Sequence, residues 1–296
     1  MADHRSLYSP VSVAADGSVE VVLGPDHPGF TDPDYRLRRN VIAGISEAWR
    51  PGAPVPRVDY TPVEHQVWQR VCAELGPRHE RFACAEFLAA KDRLGLPADH
   101  IPELTEVGDL LERCTGFRFL PVPGLAPLRT FYSALGGSHF YSTQYIRHHS
   151  QPLYTPEPDI VHEVVGHANQ LASPRFAALN RLVGEAVDRT RTDGALHFLA
   201  NVFWFTFEFG LVRESGELRA YGAGILSSYG ETEVFRDAAE IRPFDVAAMG
   251  TMRYDITRYQ PTLFAADSIE QVIEALAEFL ATYDDDAYLR YGSANR

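Results

Sequence analysis

The stretch Tyr154-Thr155-Pro156-Glu157-Pro158-Asp159-Ile160-Val161-His162-Glu163-Val164-Val165-Gly166-His167 places two histidines and a carboxylate in an otherwise apolar run. A zincin carries its second histidine four residues after the first, so that both share one helix face. Here Gly166 fills that place and the second histidine follows one residue later. Five residues turn an ideal α-helix about 140° past a full circle, so the imidazoles converge only if the first sits at or near the helix start. Pro156, Pro158 and Asp159 supply that start, since proline suits a first turn and aspartate accepts orphan amide protons. Spacing alone weighs metal ligation evenly against two hydrogen-bonded histidines of core or surface.

A third ligand decides between them. Ala195 to Val212 is almost wholly apolar and about as long as the shortest membrane-spanning helix, yet it contains His197, Asn201 and Glu208. A carboxylate in mid-segment is expensive in lipid, so the segment reads as a buried core helix carrying one working acid. Within Phe203-Trp204-Phe205-Thr206-Phe207-Glu208-Phe209, Glu208 needs a cation or a proton, and either a metal or an arginine meets that need. Two imidazoles and one carboxylate leave three positions open on an octahedral centre, the arrangement of non-haem Fe(II) oxygenases.

The rest of the chain bounds the reading. Its 296 residues, 45% apolar and 23% charged, are globular in composition and long enough for a sizeable core. A formal charge of −13 repels phosphate backbones and anionic lipid, which argues against nucleic acid and membrane partners. Three cysteines without C-x-x-C spacing suggest neither disulfides nor a thiolate metal site. The polar start lacks a secretory core, and a reducing cytoplasmic location is the expectation. No repeat or linker divides the chain, so one domain is expected, after a loop-rich opening to about residue 32. Helical stripes run through Leu104, Val107, Leu110, Leu111 and Cys114, and through Ile269, Val272, Ile273, Leu276, Phe279 and Leu280 behind a Ser268/Gln271 capping box. Ser173-Pro174 opens another helix, Leu218 to Tyr221 reads as a short strand, Pro121 to Leu128 as an irregular loop, and Asp284 to Asp286 as a solvated charge run. The fold class is α+β, mainly helical, with a few short strands.

The quoted stretch closely resembles the iron-binding segment of the tetrahydropterin-dependent aromatic amino acid hydroxylases. So do Trp204 to Leu211, Ala220 to Glu231 and Thr143 to His148. The resemblance spans residues 26–283, the catalytic domain of that family, and leaves 1–25 as an N-terminal extension and 284–296 as a C-terminal tail. No regulatory domain or long C-terminal oligomerisation helix has a counterpart, so a monomer or weak dimer is expected.

The resemblance implies Fe(II) on His162, His167 and Glu208, a tetrahydropterin, and O2 as co-substrate. It implies pterin contacts from Gly124, Ala126, Leu128, Phe131 and Ala200, with Glu163 acting beside the iron. Pro127, Thr130 and Tyr141 depart from the family's pattern there. For the substrate it implies that Arg147 grips an amino acid carboxylate, with Thr155, Pro158, Ser227 and the Trp204 ring lining the pocket. An internal salt bridge for Arg147 and a core role for Trp204 are the plain alternatives. Gly222 and Gly224 read as close packing under Ser227, and His148 and His149 as structural or surface residues. Trp204 and the apolar Ile256 favour phenylalanine over tryptophan or tyrosine, with para hydroxylation ahead of meta. A zinc hydrolase using Glu163 as base and a catalytically silent amino acid sensor remain as competing readings.

Overall fold

The computed structural model describes residues 10–255 and 259–294. Its opening contains a hairpin, β1 (Val11–Val13) with β2 (Val19–Val21), whose Val21 packs with Leu23 and Ala43 on the first helix, α1 (Pro33–Ala48). Three-residue strands are too short to show alternation, which is why this opening reads as loop. Asp32 caps α1 by accepting the Asp34 and Tyr35 amides. Helix α2 (Pro62–Phe82) starts in a reciprocal capping box of Thr61 and Glu64, and α3 (Ala85–Leu94) follows. Helix α4 (Leu104–Thr115) buries Leu104, Val107 and Leu111 of the expected stripe and stops at Gly116, whose φ of 81° is left-handed. Strand β3 (Arg118–Pro121), an irregular loop, α5 (Leu128–Gly136) and β4 (His139–Ser142) form a small βαβ unit with parallel strands.

The quoted stretch follows and winds a π-helix over His162–Ala168, continued by α6 (Asn169–Leu171). Ser173 caps α7 (Pro174–Arg189) through the Phe176 amide, as its Ser-Pro start predicts. Helix α8 (Asp193–Phe203) runs into a second π-wound turn, Trp204–Glu208. The apolar segment from Ala195 is thus a buried helix, a π turn and the start of β5 (Leu211–Glu214). Among the described residues no helix is long and apolar enough to cross a membrane.

Strand β6 (Glu217–Ala220) precedes α9 (Ala223–Leu226), α10 (Tyr229–Ala238), β7 (Glu240–Pro243), α11 (Val246–Thr251) and β8 (Thr262–Ala266). These strands form one sheet in the order β6-β5-β8-β7, in which only the β5–β6 pair is antiparallel. Helix α12 (Ile269–Thr282) is capped by Ser268, but Gln271 reaches back to the Asp267 amide instead of that of Ser268. The chain ends in α13 (Asp285–Ala294). Two of the three acids at its start are hydrogen-bond acceptors and only Asp286 is exposed, which corrects the expectation of a merely solvated charge run. Asp284 accepts the Ala287 amide, and Asp285 accepts the Arg191 and Thr192 amides. Tyr288 and Tyr291 of α13 pack on Phe198 of α8, at ring separations of 6.0 and 5.2 Å.

Candidate metal centre

The two π-wound segments are the local reason that His162, His167 and Glu208 meet. A π-helix bonds i to i+5, so residues five apart fall on one face, and such turns are often found at functional sites. The convergence of His162 and His167 therefore comes from the winding as well as from the helix start. That start is at Asp159, which accepts the His162 amide at 3.2 Å through Oδ1 and the Glu163 amide at 3.0 Å through its carbonyl. Gly166 is where the π-helix meets α9: a Cβ there would lie 2.8 Å from the Ala223 carbonyl oxygen. A side chain at the zincin position would have to displace that backbone.

The His162 and His167 Nε2 atoms are 3.1 Å apart, and Glu208 brings Oε1 to 3.0 Å from His167 and Oε2 to 3.6 Å from His162. With metal–ligand bonds of about 2.1 Å, adjacent octahedral positions lie about 3.0 Å apart, so the His162–His167 and His167–Glu208 separations match neighbouring positions of an octahedron, and the other Glu208 oxygen faces His162. No arginine pairs with Glu208 among the described residues; its ionic partners are the two imidazoles. Burial pushes the His162 imidazole down to about 4, leaving it neutral and able to ligate. Burial opposes ionisation of Glu208, but His167 and His162 overcome it and hold the carboxyl below its ordinary value. Ser227 Oγ lies 3.0 Å from His162 Nδ1, an outer hydrogen bond that turns Nε2 toward the centre. Gly222, as expected, serves close packing: a Cβ there would meet the Glu208 carbonyl oxygen at 2.3 Å.

Glu163 shares the π turn, and one carboxylate oxygen lies within 4.8 Å of the ligating atoms of both histidines. Burial first, then the charges of Glu208 and Asp159, push its carboxyl well above the ordinary range. On the other side a row of rings runs from Phe131 to Phe140 at 5.2 Å and from Phe140 to His167 at 4.7 Å. Gly124 and Ala126 are half-buried, Leu128 is 37% exposed, and Ala200 is buried in the core. Gly124 lies against Val11 of β1, so the N-terminal hairpin touches this loop.

Arg147 makes the internal ion pair that was its plain alternative. Its Nε and Nη2 each donate to Asp159 at 2.8 Å, and its own amide donates to Asp159 Oδ2 at 2.8 Å. Burial works against the Asp159 charge, yet Arg147 prevails and holds the carboxyl below its ordinary value. A guanidinium has five N–H groups, of which Asp159 takes two and so fixes the guanidinium plane. Thr155 braces the loop through the Glu157 carbonyl at 2.8 Å, and the Pro158 carbonyl accepts the Tyr145 hydroxyl. Trp204 is half-buried, stacked on Tyr254 at 4.2 Å and 9°. Ile256 lies outside the described residues. His148 is buried and bonded to Asp32 at 3.0 Å and Ser150 at 2.7 Å, a structural role, while His149 is exposed. Sequence reasoning missed Phe140, Phe203, Tyr254 and Gln260 around these groups, because single aromatic or amide residues far apart in the chain carry no local pattern.

The comparisons agree with this geometry in kind. The family model for the biopterin-dependent aromatic amino acid hydroxylases matches residues 15–295. The phenylalanine 3-hydroxylase of Streptomyces coeruleorubidus is 47% identical over 264 residues, 89% of this chain and 94% of the relative. The phenylalanine-4-hydroxylase of Rattus norvegicus is 40% identical over 91% of this chain, which spans only 60% of that relative. A Chromobacterium violaceum phenylalanine hydroxylase with bound iron(III) and 7,8-dihydrobiopterin superposes with a TM-score of 0.72 at 32% identity, covering 80% of this chain and 84% of that one. With nearly its whole length matched, the chain belongs to the biopterin-dependent aromatic amino acid hydroxylase family.

Proposed function

We propose that this protein is an iron- and tetrahydropterin-dependent monooxygenase that hydroxylates the ring of free phenylalanine. The observation that carries the reading is the convergence of His162, His167 and Glu208 on one largely buried point. Its donor set fits Fe(II), and the row of rings ending at Phe131 beside a half-buried loop fits a flat pterin. When bound, iron and reduced pterin supply the activation of O2.

The protein's part is positioning. Ser227 holds the His162 ring, and Glu163, whose carboxyl burial pushes up, stands beside the two imidazoles. Arg147, oriented by Asp159, takes the substrate carboxylate, while Thr155 and Pro158 shape the loop above it and Trp204 walls the ring. Gly124, Ala126, Leu128, Phe131 and Ala200 form the pterin side. Residues 26–283 constitute the catalytic domain in this reading.

A second reading concerns the ring carbon. Sequence reasoning put para ahead, whereas the relative matched over 94% of its length at 47% identity is a 3-hydroxylase, which favours meta. Incubation with Fe(II), a reduced pterin, O2 and phenylalanine, followed by chromatography against para- and meta-tyrosine, tests both. Pterin- and iron-dependent tyrosine isomers are expected; hydrolysis of an ester or amide without O2 would overturn the reading.

A further inference from the structure

The aromatic wall and the metal ligands share one frame. Ser227, at the end of α9, holds His162 Nδ1 at 3.0 Å, and Ser228 caps α10 by accepting the Glu231 amide at 3.2 Å. Glu231 Oε1 accepts the Gln260 amide at 3.4 Å. The Gln260 side chain, on a residue only 4% exposed, then accepts the Trp204 indole N–H at 3.2 Å through Oε1 and donates to the Asp255 carbonyl at 2.9 Å through Nε2. Trp204 opens the π turn that ends in Glu208. The five residues from Ser227 to Glu231 therefore fix an iron ligand at one end and, through Gln260, the indole at the other.

An indole stacked on Tyr254 slides easily within its plane, because stacking is weakly directional there. The hydrogen bond to Gln260 removes that freedom, since the single indole donor has one direction. A displacement of about 1.4 Å, one ring bond, separates neighbouring carbons of a phenyl substrate, and misplacements of that order are costly in catalysis. We propose that Gln260 is a positioning residue that fixes the Trp204 plane relative to the metal centre and so decides which ring carbon faces it. This rests on the phenylalanine-hydroxylase reading.

The test is Gln260→Met, alone and with Trp204→Phe, in the full chain. Wild type is expected to give one dominant tyrosine isomer, and Gln260→Met to raise the minor isomer at least fivefold and to raise the KM for phenylalanine more than it lowers kcat. In the Trp204→Phe background, which has no indole N–H, Gln260→Met adds no further change in isomer ratio. An unchanged ratio in the folded single variant, or an equal shift in both backgrounds, overturns the proposal.

A readout independent of turnover separates this from failure of the functional reading. The chain has three tryptophans, so 5-fluorotryptophan labelling gives three fluorine resonances, with that of Trp204 identified by Trp204→Phe. Gln260→Met is expected to shift or broaden that resonance and leave the other two in place. A silent wild type with this shift removes the substrate reading but keeps Gln260 as the holder of Trp204, whereas an unmoved resonance overturns the role of Gln260 whatever the activity.

Discussion

His162, His167 and Glu208 are each one-third of a facial set, so alanine at any of the three is expected to lower both iron content and turnover, checked by metal analysis and product formation. Retained stoichiometric iron would remove that residue from the set. Arg147→Lys replaces a fork already engaged with Asp159 by a point charge that cannot hold Asp159 and a carboxylate together. Phenylalanine binding should weaken roughly tenfold or more, the loss of about one charge-assisted hydrogen bond, with iron content unchanged. Glu231 gives a pH signature. Burial raises its carboxyl to about 7, so the folded protein binds this proton more tightly than the unfolded chain does. Its stabilising effect is complete below the ordinary carboxylate range and is lost as pH rises through about 7, a change of about 3 kcal/mol. Glu231→Gln keeps an acceptor for Gln260 without the proton equilibrium, so its stability relative to wild type should rise by that amount between about pH 4 and about pH 8 in urea unfolding. A pH-independent difference would place Glu231 in water.

Elements were legible where local chemistry fixes them. Ser173-Pro174 and the stripe from Leu104 carry their caps and periodicity in adjacent residues, and those helices stand where the pattern puts them. The π turns had no such signal, because the extra residue per turn is set by what packs outside. Ala223 presses on Gly166, and the Glu208 carbonyl on Gly222, from segments distant in sequence. The three candidate ligands stood out in the sequence by type, while the winding that brings them together did not. The packing of the hairpin β1–β2 on α1 and the role of Asp285 were hidden because their partners lie about twenty to ninety residues away. Gly166→Ala tests the π turn: its methyl must displace the Ala223 backbone or unwind the turn, at roughly 1–3 kcal/mol. Since α9 also delivers Ser227 to His162, iron affinity should fall about 10–100-fold. Thermal unfolding with iron titration checks both; a variant as stable and as tight as wild type would show that the turn does not depend on this contact.

Across the whole molecule, the metal set lies inside one continuous core, where the turn that follows the βαβ unit packs against the end of α8 and against α9. His162 and His167 belong to the turn after the βαβ unit, and Glu208 to the end of α8, beside the sheet β6-β5-β8-β7. Without a cation, two imidazoles and a carboxylate face one another in a largely buried site, held by hydrogen bonds alone. A ligand that binds only the folded state stabilises it by mass action, about 2.7 kcal/mol at a hundred times its dissociation constant. For a domain of this size that is roughly 5 °C in melting temperature. The expected outcome is a melting temperature that rises by this amount with anaerobic Fe(II), falls back with chelator, and does not respond in Glu208→Ala. Because the core is continuous, the gain should appear in the single transition of the whole core, monitored by far-UV and aromatic signals together. A shift confined to the aromatic signal would mean that the cation orders the site without stabilising the core around it.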